Sequence, residues 1–503
     1  MAGGRPRPAR REEGSAVNDT TPEELNAVLA AAARAAAPLA ALRPTERAAL
    51  LRAAADALDA AAGELVPIAV AESALPEARL TGEVARSSGQ LRLFADALDE
   101  GSYLEVIIDT ADPDAAPVPR PDLRRMLVPL GPVLVFAASN FPFAFSVPGG
   151  DTASALAAGS PVVLKAHPGH PELSQRTGEV LADALRAAGA PDGTFAVVHG
   201  MDAGTSAITD PRIKAAAFTG SVRGGRALLD IASARPEPIP FYGELGSLNP
   251  VFVTPAAVAA RGEAIADGYV ASFTLGTGQF CTKPGLLFLP EGHGLEERLV
   301  SAVRSTGAAG MLNDRIRTAH AEERDRLEGL GPVRTLVHGD EVEAGVAPTL
   351  LATTAKELLA DPDPLLQECF GPTSIVVSYN GPDELHAAAE AFAGNLTATV
   401  HAEDADAPTL PPLLDLLRER TGRLVYNGWP TGVAVAAAMH HGGPYPATTA
   451  SVHTSVGTTA VRRFLRPVCY QNTPQALLPE ALRDDNPLGL PRRINGTVTT
   501  DAL

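Results

Sequence analysis

The amino-acid sequence predicts an α/β protein built from two doubly wound sheets. Short, continuous apolar runs such as 133–136 (VLVF) and 162–165 (VVLK) are typical of parallel strands buried on both faces. Segments with helical periodicity separate these runs, and this alternation indicates a parallel sheet with crossover helices. The alternation begins again after Pro250 with the run 251–253, which places the start of a second α/β domain near residue 247.

The first ordered element is expected to be a helix that starts at Thr21. Residues 1–18 are rich in Arg, Pro, Gly and Glu and are predicted to form a disordered tail. Thr21 is a favoured N-cap, Pro22 suits the first helical position, and Glu24 completes a capping box. We expect Ala-rich helices to continue to about residue 64.

The remaining elements follow in the order that two such sheets require. The first domain is predicted to contain helices over 78–98, 151–158 and 173–188, and strands over 103–110, 124–130, 133–136, 162–165, 195–198 and 215–218. The second is predicted to contain strands over 251–253 and 286–289 and helices over 262–273 and 295–306. Runs of these lengths suit strands and helices, respectively.

Composition restricts the classes of function. The chain has 503 residues, enough for two or three domains, and its 45% hydrophobic and 20% charged residues are ordinary for a globular protein. A net charge of −18 argues against nucleic acid and anionic membranes as partners, and we find neither a signal peptide nor an apolar run long enough to span a membrane. Three cysteines without a pairing pattern fit a reducing compartment, so we expect a cytoplasmic protein.

Three residues in Gly- or Pro-containing loops suggest the chemistry. They are Cys281 in the run 278–282 (GQFCT), Glu244 in 243–246 (GELG), and Asn140 in 139–142 (SNFP). A thiolate attacks an aldehyde carbon, a side-chain amide holds the oxyanion, and a carboxylate activates water to hydrolyse a thioester. This chemistry needs no metal, and we predict none.

Other motifs are ambiguous when taken alone. The glycine-rich turn 220–225 suits a phosphate group, although a plain strand-to-helix turn explains it as well. Lys165 ends a predicted strand, where its side chain either faces the ligand crevice of an open α/β sheet or is solvated. Glu368 and Phe370 suit a ribose and a nicotinamide ring, but a core Phe before a turn is the simpler interpretation.

Together these segments resemble the aldehyde dehydrogenase superfamily in order and spacing, from about residue 20 to 500. The resemblance rests on five motifs: 140–142 (NFP), 218–221 (FTGS), 244–246 (ELG), 278–281 (GQFC) and 368–372 (ECFGP). Ser247 departs from the usual second glycine after Glu-Leu-Gly. That departure, with 282–285 (TKPG), 427–433 and 441–446, is similar to the branch of 2-oxoglutarate semialdehyde (2,5-dioxopentanoate) dehydrogenases.

The resemblance implies two Rossmann-like domains and assigns site residues. It makes Cys281 the nucleophile, Asn140 a donor to the oxyanion, and Glu244 the base. It implies NAD(P) as cofactor, held by Ala138, Ser139, Lys165, His167, Pro168, Gly200, Gly220, Ser221, Gly225, Leu245, Gly246, Glu368 and Phe370.

The resemblance also bears on the choice between NADP and NAD. NAD-specific members commonly carry a Glu three residues after the lysine, whereas this chain has Pro168. Without that carboxylate, the site can accept the 2′-phosphate on the adenosine ribose of NADP, with Lys165 and His167 beside it. NADP is therefore the expected cofactor. No Lys or Arg occurs between His199 and Asp210 to supply a second cation, so use of NAD stays open.

For the substrate we expect a small aldehyde that carries a carboxylate, since a buried charge needs a partner. Arg86 is the predicted anchor, or else a surface partner of Glu83 or Gln90. The tunnel is predicted to include Phe141, Phe145, Phe280 and Thr282; ordinary core packing explains the first two equally well. Succinate semialdehyde and apolar fatty aldehydes are alternative substrates. A non-catalytic paralogue is disfavoured because the three catalytic residues occur together.

The resemblance divides the chain into regions. Residues 19–246 form the predicted cofactor domain, with part of an oligomerisation hairpin at 124–147, and residues 247–455 form the catalytic domain. Residues 456–503 are predicted to return to the cofactor and oligomerisation region. We expect a homodimer or a dimer of dimers.

Overall fold

The computed structural model describes residues 17–343 and 345–503. The predicted tail over residues 1–18 therefore lies almost entirely outside the described residues. The described chain opens with the helices Pro22–Ala41, Pro44–Ala60, Ala62–Ser73 and Glu77–Glu100. The predicted capping box is confirmed, because the Glu24 N–H donates to Thr21 Oγ1 (3.3 Å) and the Thr21 N–H donates to Glu24 Oε2 (2.9 Å).

The helical region extends beyond the predicted end at residue 64. The third helix buries Leu65, Val66 and Ala69 in one apolar cluster with Leu80 and Val84 of the fourth. Tertiary packing of this face stabilises a helix that local preference does not predict.

A five-stranded parallel sheet follows. Across the sheet its strands are Phe195–Val198, Val162–Lys165, Val133–Phe136, Ala215–Thr219 and Phe241–Glu244. The helices between them are Gly150–Ala158, Pro171–Ala187, Met201–Thr209 and Val222–Ser233. The chain starts at the central strand, winds to one edge, and then winds to the other. Because the direction of winding reverses at the central strand, Val133–Phe136, a ligand crevice forms beside it at the carboxyl ends of the strands.

A second sheet has seven strands. In order they are Arg334–Val337, Thr349–Thr354, Thr373–Tyr379, Leu286–Pro290, Val251–Val253, Asn395–His401 and Thr421–Tyr426. All neighbouring pairs are parallel except the first. Its helices are Pro255–Thr274, Glu296–Ser305, Asp314–Glu328, Ala355–Ala360, Gly381–Ala391 and Pro411–Arg420. The two sheets confirm the predicted α/β class, whereas the domain limits at 246 and 455 stay predictions.

A third, mixed sheet joins distant parts of the chain. Its strands, in order, are Leu465–Gln471, Leu123–Pro129, Ile107–Asp109, Arg492–Ile494 and Thr497–Thr499. The span 124–147 is thus divided, since Leu123–Pro129 lies here and Val133–Phe136 lies in the parallel sheet. A two-stranded ribbon pairs Glu341–Val342 with Gly345–Val346.

The predicted strand over 103–110 forms only at Ile107–Asp109. Gly101 and Glu105 have φ of 84° and 47°, so the intervening residues form a 3-10 turn, Ser102–Leu104. Other 3-10 segments are Leu275–Gly278, Asp404–Asp406, Thr458–Phe464, Gln475–Leu477 and Glu480–Leu482. Within the described ranges, no helix combines the length and apolar character that crossing a membrane requires.

Candidate active site

Cys281 lies in a turn that follows the 3-10 segment Leu275–Gly278. Gly278 has φ +64°, and a Cβ on it would lie 2.2 Å from the carbonyl oxygen of Gly371, so only glycine fits where the two loops touch. The Asn249 side chain donates to the carbonyl oxygens of Cys281 (2.9 Å) and Lys283 (3.0 Å). These contacts fix the backbone that carries the thiol.

Glu244 ends the last strand of the parallel sheet, and one histidine side chain contacts both its carboxylate and the Cys281 thiol. His441 Nε2 lies 2.8 Å from Glu244 Oε1 and 3.4 Å from Cys281 Sγ. Ser455 donates to the other carboxylate oxygen, Glu244 Oε2, at 2.6 Å. The Glu244 and His441 side chains are only 3% and 1% exposed, so the network is shielded from solvent screening.

The surroundings move the pKa values of the thiol and the carboxyl in opposite directions. Burial raises the pKa of Cys281 well above its ordinary value, the negative charge of Glu244 raises it further, and Arg86 opposes both. Burial alone would also raise the pKa of Glu244, but the charge of His441 and hydrogen bonds from His441, Ser455 and Cys281 bring it below its ordinary value. The resting site therefore pairs a protonated thiol with an ionised carboxylate.

Asn140 lies beside the cysteine loop. Its side-chain Nδ2 donates to the Gln279 carbonyl oxygen at 3.1 Å, and its own carbonyl accepts from Arg79 at 2.6 Å. The predicted donor thus reaches the residues immediately before Cys281. The thiol, imidazole and carboxylate are also metal-ligand types, and their ligand atoms lie within 4.8 Å of one another.

An aromatic wall lines the approach to this centre. The ring of Phe141 lies 5.4 Å from that of Phe145 and 5.2 Å from that of Phe280, centroid to centroid. Arg86 places its guanidinium carbon 5.7 Å from the Phe141 centroid and 5.5 Å from the Phe145 centroid. Cations over ring faces at these distances are attracted by the ring quadrupole.

Among the described residues, Arg86 makes no hydrogen bond to Glu83 or Gln90, the surface partners considered above, although the negative charge of Glu83 acts on its guanidinium. Glu83 Oε1 instead accepts the backbone N–H groups of Phe143 (2.8 Å) and Ala144 (3.0 Å). Among the described residues, Arg86 Nε and Nη2 are buried without a hydrogen-bond partner. A buried guanidinium with free donors is suited to a carboxylate ligand.

Thr282 is a correction to the predicted tunnel. Its side chain has no exposed surface, and its hydroxyl accepts the Gly432 N–H at 3.2 Å. It therefore supports the 432 loop and offers no surface to a substrate.

The predicted cofactor residues of the first half of the chain gather where the parallel strands end at their carboxyl termini. We call this region the dinucleotide edge. Ala138, Lys165, Gly200, Gly220 and Gly246 each lie at or just after the carboxyl end of a strand. Ser221 caps the helix Val222–Ser233 by accepting the Gly224 N–H. A Cβ on Gly225 would lie 2.1 Å from Leu245 Cδ2, so this glycine is needed for helix–strand packing.

Lys165 supplies the test of whether a dinucleotide fits this edge. Its side chain is buried, and the hydrogen bond that Nζ makes among the described residues goes to Met201 Sδ at 3.5 Å. A thioether is a weak acceptor, so the ammonium keeps donors for a hydroxyl or phosphate ligand. The residues present fit a dinucleotide.

His167 and Pro168 follow Lys165 in the same loop. Burial, with further contributions from His170, Lys165 and Arg315, lowers the pKa of His167 to about 3, so its ring is neutral near pH 7. It therefore does not supply the additional cation considered above. Arg315, in the first turn of Asp314–Glu328, also acts electrostatically on Lys165.

Glu368 reaches the same crevice from the loop before strand Thr373–Tyr379. A Cβ on Gly246 would lie 2.7 Å from Glu368 Oε2, so the carboxyl lies directly against that glycine. Burial raises the pKa of Glu368 to about 7, while the charge of Lys283 opposes the shift. Lys283 donates to the carbonyl oxygens of Cys369 and Thr373, both at 2.8 Å, and so holds the loop. Phe370 lies in this loop and is partly buried.

Four residues of the site were not predicted from the sequence. His441 and Ser455 hold Glu244, Arg315 acts electrostatically on Lys165, and Cys281 acts electrostatically on Arg423. His441 was noted as part of 441–446 but had no role, because its partners are 160 and 197 residues away. No local pattern marks the other three.

The fold, with a crevice that fits a dinucleotide, is that of a dinucleotide-dependent oxidoreductase. The model of the aldehyde dehydrogenase family matches residues 5–444, and the chain belongs to that family. Members of the family oxidise aldehydes.

Two relatives are similar over most of their length. Alpha-ketoglutaric semialdehyde dehydrogenase 2 of Azospirillum brasilense is 48% identical over 90% of this chain and 87% of the relative. Alpha-ketoglutaric semialdehyde dehydrogenase of Acinetobacter baylyi is 45% identical over 87% of this chain and 84% of the relative.

Solved structures share the fold. Gamma-glutamyl-gamma-aminobutyraldehyde dehydrogenase from Burkholderia cenocepacia has a TM-score of 0.75 at 23% identity and covers 90% of this chain and 89% of its own. A 3,6-anhydro-L-galactose dehydrogenase in complex with NADP has a TM-score of 0.74 at 21% identity and covers 90% of this chain and 92% of its own.

Proposed function

We propose that this protein oxidises 2-oxoglutarate semialdehyde to 2-oxoglutarate and prefers NADP. The observation that carries the proposal is the Arg86 guanidinium, which lies over Phe141 and Phe145. Its Nε and Nη2 are buried and have no hydrogen-bond partner among the described residues. The charges of Glu83, Cys281 and Glu244 act on this guanidinium, so it lies near the reacting atoms. A distal carboxylate bound there leaves the aldehyde end directed at the thiol. The names of the two relatives support the same substrate.

The first step is addition of the Cys281 sulfur to the aldehyde carbon. Because the pKa of the thiol is raised, its proton leaves as the carbon–sulfur bond forms, and Glu244 is the ionised acceptor. His441 and Ser455 hold the carboxylate in the orientation that receives this proton. Asn140 donates to the oxyanion of the thiohemiacetal, and such a donor contributes roughly 3 kcal/mol.

The dinucleotide supplies a hydride acceptor when it is bound. Lys165, Gly220, Ser221, Gly246 and Glu368 are the residues that would hold it. Oxidation leaves a thioester on Cys281. Glu244 passes the proton that it took from the thiol to solvent, and the regenerated carboxylate then takes a proton from the water that attacks the thioester, with the Cys281 thiolate as the leaving group.

The cofactor preference rests on Pro168 and on nearby positive charge. Pro168 leaves no carboxylate at the position that opposes a 2′-phosphate, and Lys165 and Arg315 supply cations. We further propose a cytoplasmic homodimer or dimer of dimers. In support, all three cysteines are unpaired, and Leu465–Gln471 is an edge strand able to pair with another copy.

Steady-state kinetics test the substrate assignment. We expect kcat/KM to be highest for 2-oxoglutarate semialdehyde with NADP, compared with NAD and with succinate semialdehyde, glutaraldehyde and hexanal. Faster turnover of hexanal would contradict the role of Arg86 and keep the dehydrogenase chemistry. No reduction of either cofactor with any of these aldehydes would contradict the proposal as a whole.

A further inference from the structure

The segment before the first helix reaches the dinucleotide edge of the parallel sheet. The Thr20 N–H donates to the carbonyl oxygen of His199 at 3.0 Å, and the His199 N–H donates to Thr20 Oγ1 at 2.8 Å. This reciprocal pair ties the segment to the loop that follows strand Phe195–Val198. It places the neighbouring residue, Asp19, over the start of the helix Met201–Thr209.

The carboxylate of Asp19 lies against Gly200. A Cβ on Gly200 would be 2.7 Å from Asp19 Cγ and 2.8 Å from Oδ2, and Gly200 itself has φ +95°. The position therefore admits only glycine, both for its backbone conformation and for the approach of this side chain. Asp19 is exposed, so the carboxylate is accessible to a ligand.

Asp19 also lies near Lys165, the buried cation of the dinucleotide edge. Burial lowers the pKa of Lys165, and the negative charge of Asp19 opposes that shift. Asp19 has the same effect on the pKa of His199, where burial again is the larger cause. The carboxylate thus belongs to the electrostatic surroundings of Lys165, although 146 positions separate the two residues.

We propose that Asp19 is a specificity-determining residue of the dinucleotide site, and that its carboxylate favours a ribose hydroxyl over a 2′-phosphate. Pro168 removes one carboxylate from this edge, and Asp19 brings another from a different part of the chain. Asp19 therefore limits the preference for NADP that Lys165 and Arg315 create. The inference rests on the proposed dinucleotide function but not on the identity of the aldehyde.

Direct binding measurements test this without turnover. Isothermal titration of the full chain with ADP-ribose and with 2′-phospho-ADP-ribose gives the ratio of the two dissociation constants. For Asp19→Asn we expect the ratio to shift by about three- to tenfold toward the phosphorylated ligand, with a smaller shift at 0.5 M salt, because the interaction is between partly exposed charges.

Two further variants separate charge from structure. Asp19→Glu should keep the wild-type ratio, and Glu23→Gln, which removes an exposed acid four residues along, should leave it unchanged. Equal weakening of both ligands in Asp19→Asn would show that the segment is only structural, and an unchanged ratio would likewise overturn the proposal. Because the probes contain no aldehyde, a wrong substrate assignment would leave this result interpretable. Binding of neither ligand to the wild type would instead contradict the dinucleotide function.

Discussion

The dinucleotide edge and the thiol centre are assembled from the chain in different ways. At the edge, Lys165, Gly200, Gly220 and Gly246 follow the ends of parallel strands, so one topological rule brings them together. At the centre, the thiol turn, Glu244 and the 441 loop meet through contacts across 160 and 197 residues. Strand order positions these four residues of the first region, whereas loop packing positions the second region.

The two regions also differ in how charge is held. The thiol centre is a buried network in which each group changes the pKa of its neighbours. At the edge, Lys165 is buried but the charges that act on it, Asp19 and Arg315, are exposed and make less direct contacts. We therefore expect substitutions at the centre to change kcat strongly, and substitutions at the edge to change cofactor affinity moderately.

Replacing the nucleophile should give the largest effect. Cys281→Ala removes the covalent step, and we expect aldehyde oxidation to fall by about 10⁴-fold or more, as for other nucleophile deletions. Cofactor affinity, measured by fluorescence titration, should stay near the wild-type value because the edge is separate. Substantial remaining turnover in a folded variant would contradict the assignment of Cys281.

Removing the base should slow thioester hydrolysis more than thioester formation, because the Cys281 thiol can also lose its proton to solvent, whereas water is a far weaker acid and depends more on the base. Glu244→Gln keeps the shape of the side chain but cannot take a proton from water, so we expect a loss of about 10²- to 10⁴-fold in kcat. A thioester adduct should accumulate on Cys281 and appear in the mass of the intact protein. Slow turnover without such an adduct would place the defect before hydrolysis and argue against the role in hydrolysis.

The substrate anchor should affect KM selectively. Arg86→Met leaves a substrate carboxylate without a partner, and we expect KM for acidic aldehydes to rise by about 30- to 100-fold, the usual scale for a lost buried charge pair. Hexanal provides the comparison, since its KM should change little. A similar rise for both substrates would place the carboxylate site elsewhere.

His441 should set the pH range of the enzyme. His441 helps to lower the pKa of Glu244, so His441→Leu should raise that pKa. Because Glu244 works as the carboxylate, activity is lost as pH falls through its pKa, and the acid limb of the kcat profile should move to higher pH. At a fixed pH on that limb, we expect kcat of the variant to be about threefold to tenfold below that of the wild type.

His441→Gln, which can keep an N–H donor to Glu244, is the matched control. Its acid limb should lie between those of the wild type and His441→Leu. Identical profiles for the wild type and His441→Leu would limit His441 to a packing role.

The smallest effect on kcat is expected at the dinucleotide edge. Lys165→Met removes the buried ammonium, and we expect cofactor KM to rise by about twofold to tenfold at nearly constant kcat, the scale of one hydrogen bond exchanged for solvent. Steady-state kinetics with saturating aldehyde measure this. A fall in kcat as large as that of Glu244→Gln would remove the distinction between the two regions.

Several elements were predictable because their signals are local. The capping box at Thr21 and Glu24 and the continuous apolar strands Val133–Phe136 and Val162–Lys165 appear as expected. The helix Ala62–Ser73 and the short strand Ile107–Asp109 differ from the prediction, since packing in one case and left-handed backbone at Gly101 and Glu105 in the other override local preference.

By itself, the sequence determined the α/β class, the reactive residue types Cys281, Glu244 and Asn140, and the glycines of the dinucleotide edge. Such features depend on a few consecutive residues, and their periodicity and chemistry are visible in one dimension. Only the tertiary structure decided that His441 links the thiol to the carboxylate and that Asp19 lies on Gly200. It also decided that Arg86 Nε and Nη2 are buried without a hydrogen-bond partner among the described residues. Each of these depends on desolvation and on distances between residues remote in sequence, and both exist only after the sheets and loops have packed.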